Sequence, residues 1–202
     1  MVPSAAGHSC DTLRHESSPA LPLRVVYRID VAESICHVDE GFRQASVAAG
    51  VDDLPDRVLG TPLFDHLTGE PTKHWYRQLL DHVRQQGKAS FEFNCDTPTV
   101  IRLQRMEMLC LPDGSITFTA QTLSTRARAY TKVLNWSLPR SNKRILMCSL
   151  CHRISSVIGW TDIEQAAQVI QVFEEPIPPA ITYTICDDDQ ARLRELIHER
   201  LR

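Results

Sequence analysis

The chain has 202 residues, of which 43% are hydrophobic and 23% charged, and its formal net charge at pH 7 is −3. This composition excludes a chain that is disordered throughout, and the slightly acidic balance argues against electrostatic binding of nucleic acid. No segment has the roughly 18 apolar residues that span a bilayer, and no basic segment with an apolar run follows Met1, so a secretory signal is not expected. We therefore expect a cytoplasmic protein without a membrane partner, with a disordered tail over residues 1–21.

The first part of the chain predicts strands followed by helices. Short strands are expected at 23–30 and 34–38, where apolar and polar residues alternate, and a short helix is expected at 42–49. The strongest helical pattern lies at 71–86, because apolar residues recur there every three or four positions. Gly87 follows this segment and is placed to end the helix.

Three further strands are expected after the long helix, at 89–95, 100–111 and 116–121. The sequence Pro-Asp-Gly at 112–114 predicts a tight hairpin turn, since proline presets the first turn residue and glycine accepts a positive φ. Two strands, a group of helices and three strands indicate an α+β domain at 22–124 that is built on an antiparallel sheet.

The remainder of the chain predicts helices. Residues 125–144 are expected to form an exit helix, at 125–135, and a linker. A helical tail that carries cysteines is expected at 145–202. One of its helices opens at the capping-box sequence Thr161-Asp-Ile-Glu164. Another begins near Asp187, where a run of carboxylates favours a helix N-terminus.

The cysteines are the most informative chemical feature. Seven of them, an odd number, favour a reducing compartment over a disulfide framework. Two lie in Cys148-Ser-Leu-Cys151, and Cys186-Asp-Asp-Asp189 follows after one helix-like segment. Three thiols and a carboxylate make a nearly complete four-ligand pattern that suits zinc. An iron–sulfur cluster is less favoured because it normally takes four thiolates.

Other interpretations of this cluster stay open from the sequence. The thiols could pack in reduced form, or Cys148 and Cys151 could form a redox pair, although no βαβ context surrounds them. Asp189 could serve the start of the last helix instead of a metal. His152 is a substitute ligand for the fourth position.

The first half resembles a PAS domain in the order of its elements and in four short stretches. These are Tyr27-Arg-Ile-Asp-Val-Ala-Glu-Ser-Ile35, Val58-Leu-Gly-Thr-Pro-Leu-Phe64, Trp75-Tyr-Arg-Gln-Leu-Leu80 and Leu111-Pro-Asp-Gly-Ser-Ile-Thr-Phe118. The resemblance implies a five-stranded antiparallel sheet with helices on one face. It also implies a homodimer and a ligand held between the sheet and the helices.

Six residues are candidates for the walls of such a pocket: Tyr27, Phe91, Phe93, Arg102, Phe118 and His82. Arg102 and Arg105 point to opposite faces of one strand, so that one of them could pair with an anionic ligand or with Asp96. For a haem, His82 on the long helix is the candidate axial ligand. Flavin photochemistry is less favoured, because Cys95 lies on a different element from the reactive cysteine of light-sensing relatives.

The tail resembles a short extension of bacterial sensory proteins, which carries Cys-Ser-x-Cys, then Gly-Trp and Ile-Glu, then Cys-x-x-Cys. In this chain Asp189 stands in the last position. Together the resemblances imply a stand-alone sensory or adaptor protein of signal transduction, which binds a small ligand or a partner protein and relays a conformational change. The alternative is a metal- or redox-responsive module with the cysteine cluster as its sensor. No enzyme motif is found, so no catalytic residue is expected.

Overall fold

The computed structural model describes residues 24–170, 173 and 175–198, and the tail expected at 1–21 lies outside them. An antiparallel sheet is formed by five strands, β1 (Arg24–Ile29), β2 (Ile35–Val38), β3 (Lys88–Asn94), β4 (Val100–Cys110) and β5 (Ile116–Ala127). The strands lie in the order β2-β1-β5-β4-β3, so that β2 and β3 are the two edges.

Along the chain, the helices of the first half follow β2 and precede β3. They are α1 (Glu40–Ala48), α2 (Leu54–Val58), a 3-10 turn (Leu63–Asp65) and α3 (Glu70–Gln86). Alternate residues of β4 and β5, such as Met108 and Phe118, are buried in one cluster with Leu80 of α3. The predicted α+β class and the PAS-like order of elements are confirmed. Among the described helices none is both long and apolar enough to cross a bilayer.

The prediction of a helix at 125–135 is wrong. β5 continues to Ala127, and beyond it only Lys132–Leu134 form a 3-10 turn. The reason is the length of β4, because its first residue, Val100, still pairs with Ala127 at the end of β5. Pairing with a neighbouring strand therefore overrides the local helical pattern.

The tail forms a second, smaller sheet. Its strands are β6 (Arg144–Cys148), β7 (Ile154–Ser156), β8 (Gly159–Thr161) and β9 (Ala180–Thr184), in the order β8-β7-β6-β9. Both expected helices are present, as α4 (Ile163–Val169) and α5 (Asp187–His198). The capping box does not form, since Thr161 ends β8 and Asp162 is the N-cap. The four strands are not among the predicted elements, because each is short and β6 pairs with the distant β9.

The tail packs against the edge of the first sheet and against α3. The Asn94 amide at the end of β3 donates to the Leu150 carbonyl (2.6 Å), and the Thr72 and Ser149 hydroxyls are 2.9 Å apart. Leu193 of α5 is 2% exposed and belongs to the same hydrophobic cluster as the first sheet. The tail therefore covers one edge that the first sheet would otherwise expose.

Candidate metal centre

Parallel pairing of β6 and β9 brings the cysteine cluster together. Cys148, the last residue of β6, is the register partner of Thr184, the last residue of β9. Because parallel strands end at the same side of a sheet, the segments that follow them start side by side. One segment carries Cys151, and the other carries Cys186 and the first turn of α5.

The turn after β6 aims Cys151 back towards Cys148. His152 takes a left-handed φ of 58°, and its amide donates to the Cys148 carbonyl (3.0 Å). The Cys148 amide in turn donates to the Arg153 carbonyl (2.8 Å). These two bonds close a tight loop in which both thiols lie on one side.

Four donor atoms converge at this point. The thiols of Cys148, Cys151 and Cys186 and one oxygen of Asp189 all lie within 4.8 Å of one another. The Cys151 and Cys186 sulfurs are 3.6 Å apart. A tetrahedral zinc ion with Zn–S bonds of about 2.3 Å separates its sulfur ligands by roughly 3.7 Å. Both the spacing and the donor types therefore fit zinc, and the prediction that these four residues lie together is confirmed.

Asp189 is turned into the cluster although it lies in the acidic first turn of α5. It is 1% exposed, whereas Asp187 and Asp188 are exposed. Its Oδ2 accepts from Cys148 (3.1 Å) and Cys186 (3.2 Å). Burial acts to raise the pKa of this carboxyl, but bonds from the thiols and the charge of Arg192 outweigh burial, so that the pKa lies below its usual range. The carboxyl is therefore ionised, as a metal ligand must be.

Two arginines, which the sequence analysis did not single out, offset the negative charge of the cluster. Arg153 donates from Nε to Cys151 (3.2 Å) and from Nη2 to Cys186 (3.2 Å). Arg192 donates to the free oxygen of Asp189 (3.0 Å). Three thiolates and a carboxylate carry two more negative charges than zinc neutralises, so these guanidinium groups suit a loaded site. The signal for Arg153 is its place two residues after Cys151.

Two thiols of the cluster, those of Cys151 and Cys186, have raised pKa values. Hydrogen bonding with Cys148, together with burial, raises the pKa of Cys151, and burial raises the pKa of Cys186 to about 11. A protonated thiol is a poor nucleophile, which disfavours the redox-pair interpretation, and a zinc ion would have to displace these protons in order to bind. His152 faces away from the cluster, with Nδ1 3.5 Å from Asp96, so the structure does not bring the substitute ligand to the site.

The candidate pocket residues on the strands share the helix-facing side of the first sheet. Tyr27 and Phe118 are cross-strand partners whose rings stack with centroids 4.5 Å apart. Phe91 pairs with Met106 and Phe93 with Gln104, and both partners are buried. These aromatic residues contribute to the core, and their role as ligand contacts stays a prediction.

Arg102 and His82 lie at the margins of this aromatic group. Arg102 is 7% exposed and follows the same face of β4 as the buried Gln104. His82 faces the tail, where its Nδ1 lies 3.1 Å from the Ile197 carbonyl oxygen of α5. Because a carbonyl only accepts, Nδ1 is the donor, and one ring nitrogen of the candidate haem ligand is thereby engaged.

Comparison with known proteins adds little to this geometry. No family model matches the chain, and no curated protein matches it. Among solved structures, the chain is similar to a sensory box sensor histidine kinase from Vibrio cholerae, with a TM-score of 0.37 and 12% identity. That similarity covers 50% of this chain and 82% of that chain.

Proposed function

We propose that the chain is a sensory or adaptor module of the PAS type whose tail is fastened to the core by a zinc ion. The observation that carries this proposal is the convergence of Cys148, Cys151, Cys186 and Asp189 within 4.8 Å. When bound, zinc would supply a closed structural crosslink between the two segments. Cytoplasmic location, a homodimer and the lack of catalytic activity remain parts of the proposal.

The proposed signal passes between the zinc site and the core through α5. Asp189 in the first turn of this helix is a ligand, and Leu193, one turn later, packs in the core. The Arg192 side chain also donates to the Glu92 carbonyl of β3 (3.2 Å). Loss of the metal would free the start of α5, and a ligand or partner that displaces α5 would weaken the metal site. A relay through a helix at 125–135 is not part of the proposal, because that segment is not helical.

Metal analysis of purified protein tests the proposal. We expect close to one zinc per chain in the wild type and a large loss in Cys148→Ser. The matched control is Cys36→Ser, because Cys36 is exposed on β2, at the opposite edge of the first sheet from the tail. That control is expected to keep its zinc.

Chelation gives a second measurement on the same samples. A strong chelator is expected to lower the melting temperature of the wild type and of Cys36→Ser, since metal that binds only the folded state stabilises it. It is expected to leave Cys148→Ser unchanged. A metal-free wild type whose melting temperature does not respond to chelator or to added zinc would contradict the zinc-fastened tail.

A further inference from the structure

Arg102 is a buried cation without a counter-ion among the described residues. It is 7% exposed, and its Nη1 makes one contact, to the Cys95 sulfur at 4.0 Å. Within the part of the chain that the structure describes, its Nε and Nη2 have no hydrogen-bond partner. Asp96 accepts from the Arg102 backbone amide (3.0 Å) with Oδ1, and its Oδ2 faces Arg128 and His152.

The other buried arginine in this region, Arg128, is paired. Its side chain is 3% exposed and meets Asp96 at 3.2 Å and Glu164 at 2.7 Å. A buried guanidinium normally has such carboxylate partners, because removing a charge from water without compensation is expensive. Arg102 lacks such carboxylate partners among the described residues, so a bound anionic ligand would compensate its charge.

The two unpartnered nitrogens of Arg102 form one edge of the guanidinium group. Nε–H and Nη2–H are parallel donors on that edge, and this arrangement matches the two oxygens of a carboxylate in a bidentate pair. Next to Arg102 on the same face of β4 lies the polar Gln104, whose side chain donates to the Thr122 hydroxyl (3.1 Å). Phe93 of β3 is the apolar register partner of Gln104.

We propose that the Nε–Nη2 edge of Arg102 binds the carboxylate group of a small-molecule ligand. This assignment deepens the ligand-binding part of the proposed function and rests on it, but it does not depend on the metal. The ligand class is a small carboxylate. Inorganic phosphate shares the oxyanion chemistry and is therefore a separate arm of the test.

The experiment measures binding at the atoms concerned. Formate, acetate and inorganic phosphate are titrated at constant ionic strength into 15N-labelled protein, and the Nε–H signal of Arg102 is followed by NMR. The signal is assigned by its loss in Arg102→Gln. We expect it to shift with formate and acetate. The wild-type melting temperature is expected to rise by roughly 3 to 6 °C at ten times the dissociation constant.

Two variants and one control complete the test. Arg102→Gln is expected to lose the carboxylate-dependent rise in melting temperature. Arg102→Met is expected to melt above the ligand-free wild type, because it removes an uncompensated buried charge. The control is Arg105→Gln on the opposite face of β4, where Arg105 pairs with Glu92 and is exposed. This variant is expected to respond to carboxylates like the wild type.

Several results would overturn the assignment. One is a wild type that responds to none of the three anions, which would mean that water satisfies Arg102. A response to phosphate alone, a response retained in Arg102→Gln, or an Arg102→Met protein that melts below the ligand-free wild type would each overturn it as well. Zinc content measured on the same samples separates the two proposals, since a failed carboxylate site in a zinc-loaded protein leaves the metal site standing.

Discussion

At the scale of single residues, Asp189 decides the character of the cluster. A carboxylate in the first turn of a helix has two possible roles, to favour the helix dipole or to bind a cation. Asp187 and Asp188 are exposed and suit the first role, whereas Asp189 is buried against two thiols and Arg192. The sequence left this choice open because three consecutive aspartates are equivalent until the helix sets their directions.

Replacing Asp189 by Cys is expected to tighten zinc binding at least tenfold, because a fourth thiolate is a softer ligand than a carboxylate. Asp189→Ala is expected to weaken it. Competition with a chromophoric chelator measures both affinities, and Asp187→Asn is the control that should not change them. An Asp189→Ala protein with wild-type affinity would mean that the carboxylate is not a ligand.

Asp96 is the second residue with a large predicted effect. Its side chain is 4% exposed and meets Arg128, which is equally buried. Asp96→Asn is expected to cost about 1.5 to 3 kcal/mol of unfolding free energy, because the buried Arg128 guanidinium loses one of its two carboxylate partners and keeps only the half-exposed Glu164. Urea denaturation checks this value. Glu92→Gln is the control, since it breaks a half-exposed pair and is expected to cost about 1 kcal/mol or less.

The same residue predicts a pH dependence. Burial acts to raise the pKa of Asp96, but the contact with His152, the hydrogen bond from the Arg102 amide and the charge of Arg128 hold that pKa below its usual range. A depressed folded-state pKa adds stability above the unfolded value of about 3.9, and this stability is lost as pH falls through the folded value. In urea denaturation series, the loss of stability on acidification below about pH 4 is therefore expected to be shallower in Asp96→Asn than in the wild type.

At the scale of elements, the helices and turns that depend on neighbouring residues were predictable from the sequence. The long helix was predictable from its apolar spacing and from Gly87, which adopts a φ of 86° at its end. The hairpin before β5 was predictable from Pro-Asp-Gly at 112–114. The parallel pair of β6 and β9 was not, although Ala180–Thr184 is rich in β-branched residues, because nothing local specifies a partner 36 positions away. The four candidate ligands of the metal site were predictable from the sequence. The way in which they come together was not, because it depends on the pairing of β6 with β9.

The start of α3 offers a test of how closely the tail approaches the core. Gly69 has a φ of 88°, and a Cβ placed there would lie 2.6 Å from the Tyr183 carbonyl oxygen of β9. Gly69→Ala is expected to cost roughly 2 to 4 kcal/mol, as left-handed strain and a backbone clash add. Gly60→Ala is the matched control, because Gly60 has a φ of 79° but open space around it. Its expected cost is about 1 to 2 kcal/mol. Equal costs in urea denaturation would mean that β9 is not held against α3.

At the scale of the whole molecule, the two sheets share one hydrophobic cluster. Cys148, Leu150, Ile185 and Leu193 of the tail are buried together with the residues that join the first sheet to its helices. A second, smaller cluster, around Met147 and Ile154, packs the tail against Val133 of the preceding segment. Because these tail residues are buried in the same cluster as the core of the first sheet, we expect the core and the tail to unfold together.

Leu193→Ala is therefore expected to destabilise both parts by a similar amount, about 2 to 5 kcal/mol. Hydrogen exchange in increasing denaturant, followed for amides of β4 and of β6, measures the opening free energy of each sheet. The control is Leu109→Ala, since Leu109 is 51% exposed, and its effect should stay within about 0.5 kcal/mol. A loss confined to β6 would mean that the tail is a separate unit.

The separation of the ligands along the chain sets an order of events during synthesis. Cys148 and Asp189 lie 41 positions apart, so a ribosome completes the first sheet and its helices well before the fourth ligand emerges. Until then the apolar edge that receives Leu193 is uncovered, which is the period when a nascent chain is most open to aggregation and to chaperones. Zinc supply would then matter most at one late step of biogenesis, when α5 leaves the exit tunnel and the chain can close.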